Sequence, residues 1–143
     1  MNSNQIIALI SKIRRDSSNF LEKELSRVGV EGIIASHGAI LGALFRRNGK
    51  LKMKEIADII NKDKSTVTYL VKGLSESGFV VRQKGVNDSR ETYILLTDKA
   101  WEMEEKFKDI SDKLISKAFI GFTELEKQTI MELLIKMDSN FNR

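Results

Sequence analysis

Lys64, Ser65, Thr66, Thr68, Tyr69 and Lys72 are the residues whose types and spacing most directly suggest chemistry. They remain once Val67, Leu70, Val71 and Leu74 are assigned to the buried stripe of one helix, so they share its outward side. Short hydroxyls let another backbone come close, and a helix N-terminus offers unpaired amides and a positive partial charge. Ser65 and Thr66 near that end can therefore bond phosphate oxygens or base edges. Lys64 and Lys72 suit phosphates, while Tyr69 can bond a phosphate or pack on a thymine methyl. A second set surrounds the polar stretch from Gly85 to Arg90. There Arg90 can enter a narrow minor groove, Asp88 can hold its guanidinium extended, and Arg82 and Lys84 can flank the sugar-phosphate backbone. The bland alternative is a solvated turn with a surface ion pair worth about 0 to 1 kcal/mol.

Other chemistries find little material. With no cysteine in 143 residues, disulfides, thiolate metal sites, Cys nucleophiles and thiol redox sensing are all excluded, and a reducing compartment is expected. A single histidine, His37, makes a His-based metal cluster or a Ser-His-Asp triad hard to assemble. Glu102, Glu104 and Glu105 are adjacent carboxylates spread around a helix, a pattern of solvated faces. No catalytic residue, metal or cofactor is expected, and the chain does not read as an enzyme. His37 at a helix start can bond a phosphate or sense a ligand, or simply sit at a boundary. Trp101 can line a cavity or serve as packing. Apolar runs of a few residues and an N-terminus without signal-peptide character point to a cytoplasmic protein with no membrane partner.

The elements that must position these groups follow from periodicity. The absence of proline favours a mostly helical chain. Residues 6 to 28 form a long amphipathic helix ended by Gly29 and Gly32. Ser36 opens a second helix with its hydroxyl as cap, burying Ile40, Leu41, Leu44 and Phe45 before the Asn48-Gly49 stop. Two short helices follow, with stripes Met53, Ile56, Ala57, Ile60 and Val67, Leu70, Val71, Leu74. They are joined by Asn61-Lys62-Asp63, with Asp63 as N-cap and Gly78 as stop. Residues 79 to 84 and 91 to 96 then switch to β-rich composition around the polar tip. Thr97 caps a helix carrying Met103, Phe107, Ile110 and Leu114. Gly121 breaks it, and Thr123 to Glu126 read as a capping box for a last helix with Ile130, Leu133, Leu134, Met137 and Phe141. Charge is uneven: residues 46 to 90 hold eleven Lys and Arg against five Asp and Glu, while residues 97 to 143 hold eight against ten. The basic middle is what a phosphate-facing surface needs.

A helix-turn-helix followed by a β-hairpin is a winged helix. The sequence resembles the MarR family of bacterial and archaeal winged-helix transcription regulators. The likeness rests on Ser36-His37 opening the second helix, Lys64-Ser65-Thr66-Val67-Thr68 opening the recognition helix, Leu74 to Gly78 ending it, Asp88-Ser89-Arg90 in the wing and Leu96-Thr97 beyond, and it covers nearly the whole chain. It implies a homodimer on a pseudo-palindromic operator of double-stranded DNA, usually a repressor, often released by a small aromatic or anionic effector. It also implies major-groove positions at Ser65, Thr66, Thr68 and Tyr69 and a wing arginine at Arg90 partnered by Asp88. Ser36 and His37 join the candidate DNA contacts, and His37 with Trp101 the candidate effector pocket. Lys52 stands where a Ser or Thr cap is expected before the first helix of the motif.

The fold class expected is mainly α with a small β-hairpin wing, a winged helix-turn-helix (33–97) flanked by dimerisation helices (1–31 and 98–143) in one domain, 1–143. The apolar stripes of residues 6 to 28, 103 to 118 and 130 to 141 exceed what one small core can cover. A second copy would bury them and set two recognition helices about 34 to 36 Å apart. The alternative is a monomeric helical bundle. The alternative function is a protein-interaction module without specific DNA binding. It would call for apolar exposure on the helix that carries Lys64, Ser65, Thr68 and Lys72.

Overall fold

The computed structural model describes residues 1–142. In chain order the elements are α1 (Ser3–Arg27), α2 (Ala35–Arg46), β1 (Lys50–Lys52), α3 (Met53–Ile60), α4 (Lys64–Glu76), β2 (Val80–Lys84), β3 (Thr92–Leu96), α5 (Asp98–Glu102), α6 (Glu104–Ala118) and α7 (Glu124–Phe141). Packing divides the chain into two compact units, Met1–Ser111 and Asp112–Arg143.

In the first unit the expected apolar stripes meet. Ile40, Leu41 and Leu44 of α2, Ile56 of α3 and Val67, Leu70, Val71 and Leu74 of α4 close one core with Phe79, Val80, Ile94 and Leu96 of the wing. Leu25 of α1, Ala100 of α5 and Ile110 of α6 join it. Phe79 is clasped from the side, with the Phe107 ring 5.5 Å away in a T-shaped arrangement and the Lys99 ammonium 4.8 Å above its face.

Three details differ from the sequence reading. The wing is a three-stranded antiparallel sheet in the order β1-β3-β2, because Lys50, Leu51 and Lys52 pair with Leu95, Ile94 and Tyr93. A three-residue strand is too short to carry a period, and its partner lies over forty residues away. Asn48 (φ 58°) and Gly49 (φ 84°) turn the chain into it, and a Cβ on Gly49 would come 2.7 Å from the Trp101 ring. The helix after Thr97 is interrupted at Met103 (φ −92°, ψ −4°), in the sparsely populated bridge between regular basins. Nothing in the apolar spacing marks that break.

The third correction concerns Ser36. Helix α2 starts at Ala35, so Ser36 lies inside the first turn and is not the cap. The cap is supplied by His37, whose Nδ1 accepts the Ile34 N–H at 3.0 Å. His37 is only 6% exposed, and on its other side a Cβ on Gly73 of α4 would sit 2.9 Å from its Nε2. The lone histidine therefore wedges α2 against the back of α4. Burial pushes its pKa down. A protonated ring would also lose the Nδ1 acceptor and place a cation at a helix N-terminus. At Lys52, which has no side-chain oxygen, the start of α3 is satisfied from the other direction: the Glu55 carboxylate accepts the Lys52 N–H at 3.0 Å.

In the second unit Gly121 (φ 82°) redirects the chain, and Thr123 and Glu126 exchange their capping hydrogen bonds at 3.1 and 3.0 Å. No residue of α7 is buried in the isolated chain, although Leu125, Ile130, Met131, Leu133, Leu134, Ile135 and Phe141 are among its members.

Two outcomes test the wedge. Replacing Gly73 by Ala should gain about 1 kcal/mol from helix propensity alone, but the contact with His37 reverses the sign, and urea unfolding should show a net loss. His37 contributes stability that is complete above its unfolded pKa, near 6.5, and is lost as pH falls through the lower folded value. The unfolding free energy should decline as pH falls below about 6.5, and His37→Asn should remove that component of the decline.

Candidate nucleic-acid interface

Helix α4 is divided lengthwise by what it buries. Val67, Leu70, Val71 and Leu74 face the core, whereas Lys64, Ser65, Thr68, Tyr69 and Lys72 are exposed and Thr66 is half-buried. Tyr69 is 74% exposed, a large aromatic ring held in solvent on the outer face. The helix start is built as expected. Asp63 accepts the Thr66 N–H at 2.7 Å and the Ser65 hydroxyl at 3.2 Å, and hydrogen bonding from the Thr66 side chain and N–H, then from Ser65, holds its carboxyl below the usual range. Asn61, in the left-handed conformation (φ 53°), makes the turn from α3.

The hydroxyls are not idle in the free protein. Thr68 donates to the Lys64 carbonyl at 2.8 Å, and Ser65 donates to Asp63. Their oxygens keep free lone pairs, so they can accept from a base amino group at once and donate to a phosphate only after giving up the internal bond.

The wing lies alongside. In the β2–β3 register Arg82 stands opposite Ile94, on the core-facing side of the sheet, and its guanidinium donates to the Thr68 carbonyl of α4 at 3.4 Å. Lys84 has the same parity, pairing with Thr92, and is exposed. At the tip Asp88 holds Arg90 through three bonds: from the Arg90 N–H at 2.9 Å, from Nε at 3.1 Å and from Nη2 at 3.2 Å. Those donors lower the Asp88 pKa. The Arg90 side chain is nevertheless 90% exposed, so its remaining donors point to solvent. Neighbouring Val86 also stands free at the tip.

The structure thus gathers Lys64, Ser65, Thr68, Tyr69 and Lys72 on one helix face and ties that helix to the wing through Arg82. It does not bring His37 there. His37 is buried behind α4, and Ser36 is half-buried in the first turn of α2. Neither His37 nor Trp101 lines a cavity of about 270 Å³ among the described residues, which is bounded by Val28, Val30, Glu31, Phe79, Lys99 and Met103. Trp101 instead packs edge-on against Phe45, with centroids 5.3 Å apart, and against Gly49. Sequence reasoning missed Glu91, whose carboxylate receives Lys52 at 3.1 Å. The only signal was a charged residue beside the wing arginine. Among the described residues no cluster of His, Cys, Asp or Glu could hold a metal ion, and no helix is long and apolar enough to cross a membrane.

Comparison with known proteins gives a consistent picture. The family model described as MarR family matches residues 39–92. The HTH-type transcriptional regulator YwoH of Bacillus subtilis is 32% identical over 107 residues, covering 75% of this chain and 74% of that protein. YkoM of the same organism is 34% identical over 98 residues, covering 68% of this chain but only 63% of its own length. Among solved structures, a complex of S. aureus MepR with DNA superposes with a TM-score of 0.82 over 98% of both chains at 22% identity, a likeness of fold.

The tether at the tip has a measurable consequence. Asp88→Ala should release the Arg90 guanidinium, seen as faster solvent exchange of its Nε–H in NMR, while the core residues keep their chemical shifts.

Proposed function

The chain belongs to the MarR family of transcription regulators, and from that premise we propose that it binds a specific double-stranded DNA sequence as a homodimer and represses transcription from it. The observation that carries the reading is the common exposure of Lys64, Ser65, Thr68, Tyr69 and Lys72 on α4 beside a wing whose Arg90 is tethered by Asp88 with its side chain in solvent. In this reading α4 enters a major groove, where Ser65, Thr66, Thr68 and Tyr69 meet base edges and Lys64 and Lys72 meet phosphates. Arg90 enters the adjacent minor groove, where a guanidinium is favoured by the deep negative potential, and Arg82 and Lys84 follow the backbone.

Homodimerisation is supported by apolar surface with no partner in one copy. Ile6, Ile7, Leu9 and Ile13 on α1 are exposed, as are Leu125, Met131, Leu133, Leu134 and Ile135 on α7. Exposed apolar side chains grouped on one helix, as on α1 and again on α7, suit an interaction surface. A symmetric dimer presents two copies of α4, so the operator should be pseudo-palindromic with half-sites one helical turn apart. Release by a small aromatic or anionic effector and a cytoplasmic location complete the proposal by family resemblance.

Selection of duplexes from a random library by the full chain should return symmetric half-sites, and recovery of a single asymmetric site would exclude the dimeric reading. Binding should weaken steeply with salt, the logarithmic slope being about −0.9 per phosphate contact. Arg90→Ala should lower affinity about 5- to 150-fold, as loss of a guanidinium contact worth roughly 1 to 3 kcal/mol requires. Unchanged affinity in that variant would remove the wing from the interface.

A further inference from the structure

The wing tip is connected to the body of the protein by a chain of contacts that the DNA-facing residues do not need for their own sake. Glu91 follows Arg90 directly. Its N–H donates to the Asp88 carbonyl at 3.1 Å and its carbonyl accepts the Gly85 N–H at 2.9 Å, so both backbone groups close the tip. That loop is tight, since a Cβ on Gly85 would collide with the Asp88 carbonyl oxygen. The Glu91 side chain leaves the hairpin and receives the Lys52 ammonium at 3.1 Å. Its second carboxylate oxygen accepts from the Tyr93 hydroxyl at 3.5 Å. Lys52 ends β1, opposite Tyr93 in the sheet, and its backbone N–H opens α3 through Glu55. The ammonium groups of Lys50 and Lys52 lie 4.6 and 5.9 Å from the Tyr93 ring centroid.

We propose that Lys52 and Glu91 act as a clamp that positions Arg90, fixing the wing tip to the strand and helix at the base of the helix-turn-helix. Neither residue needs to touch DNA. Their effect on binding runs through the pose of Arg90, and in that part the inference rests on the DNA-binding reading above. Glu91 would otherwise be a poor choice beside a polyanion, because an unpaired carboxylate next to Arg90 would repel phosphates. Lys52 both neutralises it and anchors it. Met at position 52 keeps the length and removes the donor, while Gln at position 91 keeps the length and removes the negative charge, leaving an amide oxygen in place of the ion pair.

The clamp and the DNA reading can be separated. Hydrogen exchange at the Gly85 and Glu91 amides of the full chain, without DNA, should accelerate roughly two- to fivefold in Lys52→Met and in Glu91→Gln, the range for a half-exposed pair. Charge reversal in Lys52→Glu/Glu91→Lys should restore protection. Unchanged exchange in both single variants overturns the clamp whether or not the protein binds DNA. With a duplex recovered by selection, Glu91→Gln should weaken binding roughly two- to fivefold at an unaltered salt slope. Simple electrostatics demands the opposite, since removing a negative charge near DNA should tighten the complex, and that result would overturn the inference. A slope reduced by about 0.9 in Lys52→Met would make Lys52 a direct phosphate contact and overturn it as well. If the wild-type chain recovers no duplex, the DNA reading fails, and the exchange measurement still decides the clamp.

Discussion

The burial of four aliphatic side chains on one side of α4 is the constraint on which the remaining structure depends. Val67, Leu70, Val71 and Leu74 are almost fully removed from solvent against α2, α3 and the wing. At about 1.5 to 3 kcal/mol for each fully buried aliphatic side chain, no surface contact of the same helix competes with that term. Once it is satisfied the rotation of α4 about its axis is set, and with it the direction of every other side chain the helix carries. Lys64, Thr68, Tyr69 and Lys72 point outward because their neighbours in the sequence must point inward.

The candidate interface is thus a by-product of the core on one side and a built object on the other. The wing does not inherit its geometry from packing alone, because its tip is almost wholly exposed. It is held by polar connections: Asp88 to Arg90 within the tip, Arg82 to the Thr68 carbonyl, and Lys52 to Glu91 at the base. Each such bond is weak in water. Several of them acting around one short loop reduce the number of poses open to Arg90 in the free protein, the kind of preorganisation that favours affinity in a binding group.

The legibility of this chain was uneven for identifiable reasons. Apolar stripes, caps with a side-chain oxygen, and glycines at positive φ are local signals, and Asp63, Thr97, Thr123, Gly78 and Gly121 perform where their types suggest. Signals that depend on a distant partner were silent. β1 exists because Leu51 is buried and its neighbours meet β3, while Ser36 yields the cap to His37 because the ring nitrogen is packed in place by α4. Trp101 similarly owes its position to Phe45 and to the open space over Gly49. The candidate site itself was largely legible, since exposed residues on a helix are whatever the buried stripe leaves over.

Composition and local order alone decided that this chain is mostly helical, that it lacks the groups for thiol or multi-histidine chemistry, and that its basic residues concentrate around a helix, a turn, a second helix and a hairpin. These are consequences of side-chain type and periodicity, which act over a few residues. Only tertiary structure decided that a third strand braces the wing, that the single histidine is a buried wedge, and that Lys52 and Glu91 meet across the sheet. Those facts depend on which surfaces come together when water is expelled from the core, and a contact between residues 52 and 91 has no trace in the order of the amino acids between them.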